Sequence, residues 1–302
     1  MQSPVSHFLR GFAMGTADLI PGVSGGTIAL VLGVYERLIV SIRRGAGALG
    51  SLARFDLSGF GARMKEVEWR FIAPLLVGVV TAVFALSHLI ERLLADYPLH
   101  MAGLFFGLVT GSIFVAWRLV ERRRPLAWGV LVIAAVVTFW FLGLRGGTVV
   151  DPPLWAFFGA GAVAICAMIL PGISGSFMLL MMGMYAPVLG AVNDRRVAAV
   201  LVFALGCVIG LASFSTLLNF LLDRYHDAVL AAMVGLMVGS LRVLWPWPEG
   251  TNGTSLSLPA GETWGPVLLG VAGAVVVLSI TRKEKAIADD VEAAGEAAGT
   301  VP

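Results

Sequence analysis

Two runs in the sequence hold the residue types needed to handle a charged ligand in apolar surroundings. The first is Asp18-Leu19-Ile20-Pro21-Gly22-Val23-Ser24-Gly25-Gly26-Thr27, followed by Tyr35 and Glu36. The second is Met168-Ile169-Leu170-Pro171-Gly172-Ile173-Ser174-Gly175-Ser176-Phe177, followed by Tyr185. In each, Pro-Gly interrupts a helix through a missing N–H and a flexible backbone, and a new half-helix starts near Ser24 or Ser174. The first N–H groups of a half-helix lack intrahelical partners and the helix dipole adds positive potential, so the break attracts an anion. Gly22, Gly25, Gly26, Gly172 and Gly175 let a ligand approach the backbone, and Ser24, Thr27, Ser174 and Ser176 add hydroxyl donors. The chemistry on offer is capture of one phosphate or carboxylate. The plainer reading is that the breaks only let the chain turn and its helices pack closely.

Asp18 and Glu36 are the carboxylates of the first run; Met168 and Ala186 stand in their places in the second. An acid at membrane depth points to function by default, so Asp18 could carry a coupling proton or orient the break, with capping of local backbone as the alternative. Glu36 beside Arg37 reads equally well as an interfacial ion pair. A hydrolase must also be weighed, because Gly22-Val23-Ser24-Gly25-Gly26 matches G-x-S-x-G. That elbow needs a strand-to-helix turn and a positioned base. The one histidine at membrane depth is His88, so no catalytic residue is assigned. His7, His88, His100 and His226 show no ligand spacing, and Cys166 and Cys207 sit singly in apolar runs. Neither a metal nor a cofactor is expected, and nucleic acid is not an expected partner.

The elements that hold these runs are membrane helices. The chain is 58% hydrophobic and 13% charged over 302 residues, far from the quarter or so charged residues of soluble domains. Spans are expected at 71–90, 99–117, 126–144, 197–220, 228–245 and 264–280, with a charged surface stretch at 41–70. Arg118 and Arg242 border spans beside Trp117 and Trp245 and read as snorkelling anchors. No cleavable signal peptide is expected, and the tail 283–302, rich in Ala, Gly and acids, is expected to be disordered.

The two runs belong to a repeat. Pro21, Gly22, Ser24, Gly25, Gly33 and Tyr35 recur 150 positions later, as Pro171 does for Pro21. Gly78, Ser87, Tyr97, Gly107, Gly111, Ser112 and Trp117 recur 128 positions later, as Gly206 does for Gly78. Unit one is 12–117 and unit two 162–245, joined by the span 126–144 and closed by 264–280, so that 1–282 forms one transmembrane domain. Each flank of a break is about half the length needed to cross a bilayer. Treating both segments as hairpins that dip in and return puts Arg10, the basic residues of 41–70 and 118–124, Arg224 and those of 282–285 on one side. Arg92, Arg145, Arg195, Arg196 and Arg242 are then opposite, as the positive-inside rule favours. The fold expected is therefore an all-α, polytopic integral membrane protein: an inverted-topology repeat with two re-entrant Pro-Gly-x-Ser-Gly hairpins, whose tips meet near the midplane.

The motif pair A-D-L-I-P-G-V-S-G-G-T with G-x-Y-E-R, and A-M-I-L-P-G-I-S-G-S-F with G-x-Y, closely resembles a bacterial membrane family. That family was long catalogued as a domain of unknown function and is now associated with polyprenyl-phosphate translocation. The resemblance covers about residues 8–281. It implies flipping of undecaprenyl phosphate across the bacterial cytoplasmic membrane, which recycles the carrier lipid of cell-wall synthesis. Binding residues carried over by motif are Asp18, Pro21, Gly22, Ser24, Gly25, Gly26, Thr27, Tyr35 and Glu36, with Pro171, Gly172, Ser174, Gly175, Ser176 and Tyr185. Ala186 departs from the acidic residue common in the family after the second Tyr. The partners implied are the polyprenyl-phosphate lipid and the bilayer, and homo-oligomerisation is compatible with both. A carrier for a small soluble anion is the alternative on the same scaffold.

Overall fold

Proline and glycine fix most helix ends in this chain. Pro4, Pro98 and Pro125 open helices at a position where a missing N–H does no harm. Gly33 and Gly183 take positive φ (64° and 68°) between helices. The computed structural model describes residues 3–20, 23–53, 56–144, 147, 149–248 and 256–299, and among them all regular structure is helical. Pro21 and Gly22 lie outside the described residues.

In unit one, α1 (Pro4–Asp18) leads to the first break, α2 (Gly25–Val31), α3 (Tyr35–Ala53) and α4 (Leu57–Glu66). The long helices α5 (Trp69–Asp96) and α6 (Pro98–Arg118) follow, then α7 (Pro125–Phe141). Unit two repeats the plan with α8 (Leu154–Ile169), α9 (Gly175–Met181), α10 (Tyr185–Asn193) and α11 (Val197–Ser240), and α12 (Trp264–Gly299) ends the chain. Among the described residues, α5, α6, α11 and residues Trp264–Thr281 of α12 are long and apolar enough to cross a membrane. Helices α9 and α10 meet at 108°. The chain is a multi-pass helical membrane protein.

The expected spans 197–220 and 228–245 are two helices that together make α11 and meet without a gap at a kink, Tyr225 (φ −133°, ψ 40°). Tyr97, its counterpart, has nearly the same backbone (φ −134°, ψ 53°) and separates α5 from α6, where Pro98 makes the interruption complete. The charged stretch expected at the surface, 41–70, is carried by the end of α3, by α4 and by the start of α5. Helix α12 extends to Gly299, in keeping with the helix propensity of the Ala, Glu and Lys in its last part.

Packing follows the repeat. Helix α1 lies on α5, and a Cβ at Gly11 would collide with the Leu75 backbone, one at Gly78 with that of Phe8. Helix α8 lies on the first half of α11 with Gly161 against Phe203 and Gly206 against Phe158, the corresponding positions. Helix α6 packs on α12 through Gly103 and Gly107, which meet Pro266 and Gly270. The second half of α11 packs on α7 through Gly235 and Gly239. Without side chains these helices approach backbone to backbone, where dispersion and close contact drive association in lipid.

Helix α6 and its counterpart, the second half of α11, run antiparallel. The Asp227 carboxylate at the start of that half accepts N–H bonds from Glu121 (3.0 Å) and Arg122 (3.3 Å), just past the end of α6. Trp245, beyond the end of α11, packs on Phe106 in the first half of α6 at 5.8 Å between centroids.

Candidate functional site at the crossing of the two motifs

Ser24 and Ser174 begin their half-helices as expected, in extended conformation. Each half-helix is only seven residues long, because Leu32-Gly33 and Met182-Gly183 end it before α3 or α10 begins. A dipole that short contributes little by itself, so side chains do most of the work at both breaks.

At the first break the donors are already engaged. Asp18 Oδ1 accepts the Gly25 N–H at 2.7 Å, and Ser24 Oγ accepts the Gly26 N–H at 3.1 Å. A Cβ on Gly25 would lie 2.6 Å from Asp18 Oδ2, so any larger residue there would displace the Asp18 carboxylate. Asp18 thus holds its own carboxylate where an external anion would sit. At the second break Met168 occupies the matching position, the Ser174 side chain caps nothing, and its hydroxyl pairs with that of Ser176 at 2.8 Å.

The two motifs touch. Ser24 donates its hydroxyl proton to the Met168 carbonyl (3.1 Å) and Tyr35 donates to the Ile169 carbonyl (3.1 Å). These carbonyls end α8 and have no intrahelical partner of their own, so hydroxyls of one motif complete the helix terminus of the other. Thr27 Oγ1 accepts the Gly172 N–H at 2.9 Å. A Cβ on Gly26 would lie 2.5 Å from the Ile169 oxygen. Gly172 has φ 85° and would place a Cβ 2.7 Å from the Met237 Cα, so only glycine fits that turn.

A cavity of about 570 Å³ opens beside this crossing. Asp18, Gly25, Gly26, Tyr35, Met168 and Ile169 form its inner end. Leu38, Ile42, Trp69, Ile72, Val79 and Leu211, from α3, α5 and α11, form apolar walls that lead away from it.

The structure therefore gathers Asp18, Ser24, Gly25, Gly26, Thr27, Tyr35 and Gly172 at one place. Pro171 and Gly175 are buried in the second motif and Ser176 is exposed. Glu36 and Tyr185 are not part of the gathering. The Glu36 carboxylate meets His226 Nε2 at 2.8 Å, so its partner is a histidine on α11 rather than Arg37, which pairs with Glu68 at 2.8 Å. Tyr185 is 43% exposed where Tyr35 is 2% exposed. Sequence reasoning missed the carbonyls of Met168 and Ile169. The signal was available: a helix stopped by Pro-Gly must expose its last carbonyls, and the other motif carries hydroxyls. Among the described residues Ser24 has only backbone groups as hydrogen-bond partners, Met168 O and Gly26 N–H, while the nearby Asp18 carboxylate is turned to the Gly25 N–H.

A polytopic helical membrane protein with two Pro-Gly motifs joined at an internal polar crossing, beside an apolar cavity, has the build of a membrane carrier. The chain belongs to the family described as VCA0040-like: Undecaprenyl phosphate translocase-like, whose model matches residues 14–258. A Vibrio cholerae protein named Polyprenyl-phosphate transporter is 42% identical over 247 residues, covering 81% of this chain and 79% of its own. A Staphylococcus aureus protein of the same name is 31% identical over 257 residues, covering 80% and 86%. No solved structure matches the chain.

Proposed function

We propose that this protein translocates a polyprenyl phosphate across the bacterial cytoplasmic membrane, with the phosphate passing the crossing of the two motifs and the isoprenoid chain remaining in apolar surroundings. The observation that carries the reading is the juxtaposition of the hydroxyl-rich crossing with an apolar cavity of about 570 Å³. A phosphate in a low-dielectric core needs donors to replace its hydration. Ser174 and Ser176, whose hydroxyls meet only each other among the described residues, and the Thr27 hydroxyl are the ones at hand; Ser24 and the Gly25, Gly26 and Gly172 N–H groups would join them on release from their present partners. The apolar walls suit a hydrocarbon chain, which favours a lipid over the soluble-anion alternative. The Ser24 hydroxyl donates to a backbone carbonyl and not to a base, which speaks against the hydrolase.

In this reading the units are inverted. Each motif segment is a hairpin that enters and leaves on one side, and the antiparallel course of α6 and the second half of α11 supports the inversion. Rocking of one unit against the other would open the crossing alternately to each leaflet. Glu36, paired with His226, and the exposed Tyr185 are left out of the proposed binding set in this state. The test is flipping of a fluorescent polyprenyl phosphate in proteoliposomes. Wild type should flip it, while Gly25→Leu, Gly175→Leu and the pair Ser24→Ala/Ser174→Ala, at equal folded protein, should slow it at least about tenfold, the value of one charge-assisted hydrogen bond. Undiminished flipping in all of them would move the site elsewhere.

A further inference from the structure

We infer that a second phosphomonoester-lipid subsite lies at the far end of unit two, in the groove formed by Arg242, Trp245 and Trp247. The inference rests on the translocase reading above for its ligand and adds a place where that ligand is first held.

Arg242 follows α11 and does not behave as a surface anchor. Its Nε is buried without a hydrogen-bond partner. Its guanidinium lies over the Phe139 ring, 4.7 Å from the centroid, and against Gly143, where a Cβ would be 2.5 Å from the guanidinium carbon. Among the described residues no carboxylate pairs with it. Trp247 is 5% exposed, and its Nε1 is likewise buried without a partner. Two orphaned donors this close in sequence are rare, because buried N–H groups are normally satisfied.

Both residues line space that a ligand could fill, although Arg242 Nε and Trp247 Nε1 themselves are covered in this state and a ligand oxygen would reach them only on a small side-chain shift. Arg242 borders a groove of about 480 Å³ with Phe106, Phe139, Trp245 and Leu258. Trp247 borders a groove of about 420 Å³ with Gly107, Pro266 and Val271. The two grooves share Phe106 and Trp245 and, beyond Arg242, Trp247, Ser257 and Thr110, are lined by apolar residues. An acceptor-rich head on an apolar chain matches that surface: oxygens for the two donors and hydrocarbon for the rest. An arginine fork suits a phosphomonoester dianion. The repeat strengthens the case. Trp245 has its counterpart in Trp117, as a shared interfacial anchor would, but the positions matching Arg242 and Trp247 hold Phe114 and Leu119. The donors were added to one unit only, so they serve one side of the membrane. The groove also lies near the base of the second hairpin, since the segment after Gly143 reaches Gly183 through the Val149 N–H (3.1 Å).

The experiment is equilibrium binding of radiolabelled farnesyl phosphate to the full chain in detergent, with farnesol, inorganic phosphate and phosphatidylglycerol as competitors. Wild type, Arg242→Gln and Trp247→Phe are compared, each also in the Ser24→Ala/Ser174→Ala background. Arg242→Gln should weaken farnesyl phosphate binding about tenfold or more and Trp247→Phe several-fold, in both backgrounds, while farnesol binding and thermal stability hold. Inorganic phosphate should compete only weakly. Equal affinity in wild type and both variants would overturn the subsite. So would phosphatidylglycerol competing as well as farnesyl phosphate, free phosphate binding as tightly as the lipid, or Arg242→Gln lowering stability with affinity intact, which is what an anchor would do. Binding that depends on Arg242 in a protein that never flips lipid would keep the subsite and end the translocase reading. Flipping that ignores Arg242 and Trp247 but fails in the tip variants, with no binding dependent on either donor, would do the reverse.

Discussion

Replacing Thr27 by Val should separate the hydrogen bond at the crossing from its packing. Thr27 is fully buried (0% exposed), and its Oγ1 accepts the Gly172 N–H at 2.9 Å. Valine keeps the shape and removes the acceptor. Interhelical side-chain bonds in membranes average only about 0.6 kcal/mol, because partners released in lipid find others. Gly172 has no such freedom. It is held at positive φ with Met237 pressed on the side where a Cβ would be. The orphaned backbone donor should therefore cost about 1–3 kcal/mol. Thr27→Ser keeps the acceptor and loses one methyl, about 0.8 kcal/mol. At roughly 2–4 °C per kcal/mol for a chain of this size, thermal unfolding in detergent should fall by about 2–12 °C for Thr27→Val and by about 2–3 °C for Thr27→Ser. The informative result is the order. A Thr27→Val protein as stable as wild type, beside a weakened Thr27→Ser, would mean that shape alone holds the crossing and that the contact between motifs is incidental.

Other outcomes follow from the same geometry. Asp18→Asn keeps an oxygen to accept the Gly25 N–H (2.7 Å in wild type) and should fold normally while flipping lipid more slowly, whereas Asp18→Leu should also lose about 1 kcal/mol of stability as the cap is removed; Asp18→Asn flipping at the wild-type rate would refute a role for the charge, and equal melting of the two variants would refute the cap. Gly33→Ala meets no neighbour within 4 Å and should cost only the roughly 1–2 kcal/mol of positive φ, while Gly183→Ala, whose Cβ would strike the Gly147 carbonyl, should cost distinctly more by the same thermal measurement. Glu36→Gln breaks an exposed pair with His226 and should leave flipping within about twofold of wild type, as exposed ion pairs contribute about 1 kcal/mol or less. A larger loss would put Glu36 back into the binding set.

Much of the fold was legible because membrane helices declare themselves. Runs of apolar residues gave the spans within a few residues, and Pro-Gly with Ser gave both breaks, Ser24 and Ser174 included. The glycines of the repeat marked the helix pairs, since Gly78 and Gly206 occupy the same contact in the two units. The rest depended on tertiary neighbours. Tyr225 interrupts α11 without a proline after it, so nothing in composition set the length of the break. Glu36 finds His226, 190 positions away, instead of the adjacent Arg37. Arg242 sits next to a Trp like any anchor, and only the absence of a side chain at Gly143 lets its guanidinium turn inward. The partners of Ser24 and Tyr35 are backbone carbonyls, announced by the Pro-Gly stop after them and not by the residue types at 168 and 169.

The two motifs match in sequence and in helix boundaries, yet they are not equivalent in their contacts, and in the reading proposed above this asymmetry is what a carrier with inverted repeats would show at any one moment. Tyr35 is buried with its hydroxyl on the Ile169 carbonyl, while Tyr185 is 43% exposed. Exchanging the roles of the motifs would bury Tyr185 against the carbonyl of Leu19 and Ser174 against that of Asp18. The Thr27 bond cannot be exchanged, because Phe177 stands at the matching position. The alternate state thus has one cross-motif bond fewer, about 1 kcal/mol or roughly fivefold in population. Thr27→Val removes that difference and should bring the two states toward equal occupancy. The chain has four tyrosines, Tyr35, Tyr97, Tyr185 and Tyr225, so fluorotyrosine labelling with fluorine NMR can read the exchange directly. In Thr27→Val the Tyr35 resonance should lose its buried population while the Tyr185 resonance gains one by the same amount, with Tyr97 and Tyr225 unmoved. A Tyr35 signal that becomes exposed while Tyr185 stays as it was would mean that the crossing simply loosens, and the role exchange between the motifs would have to be given up.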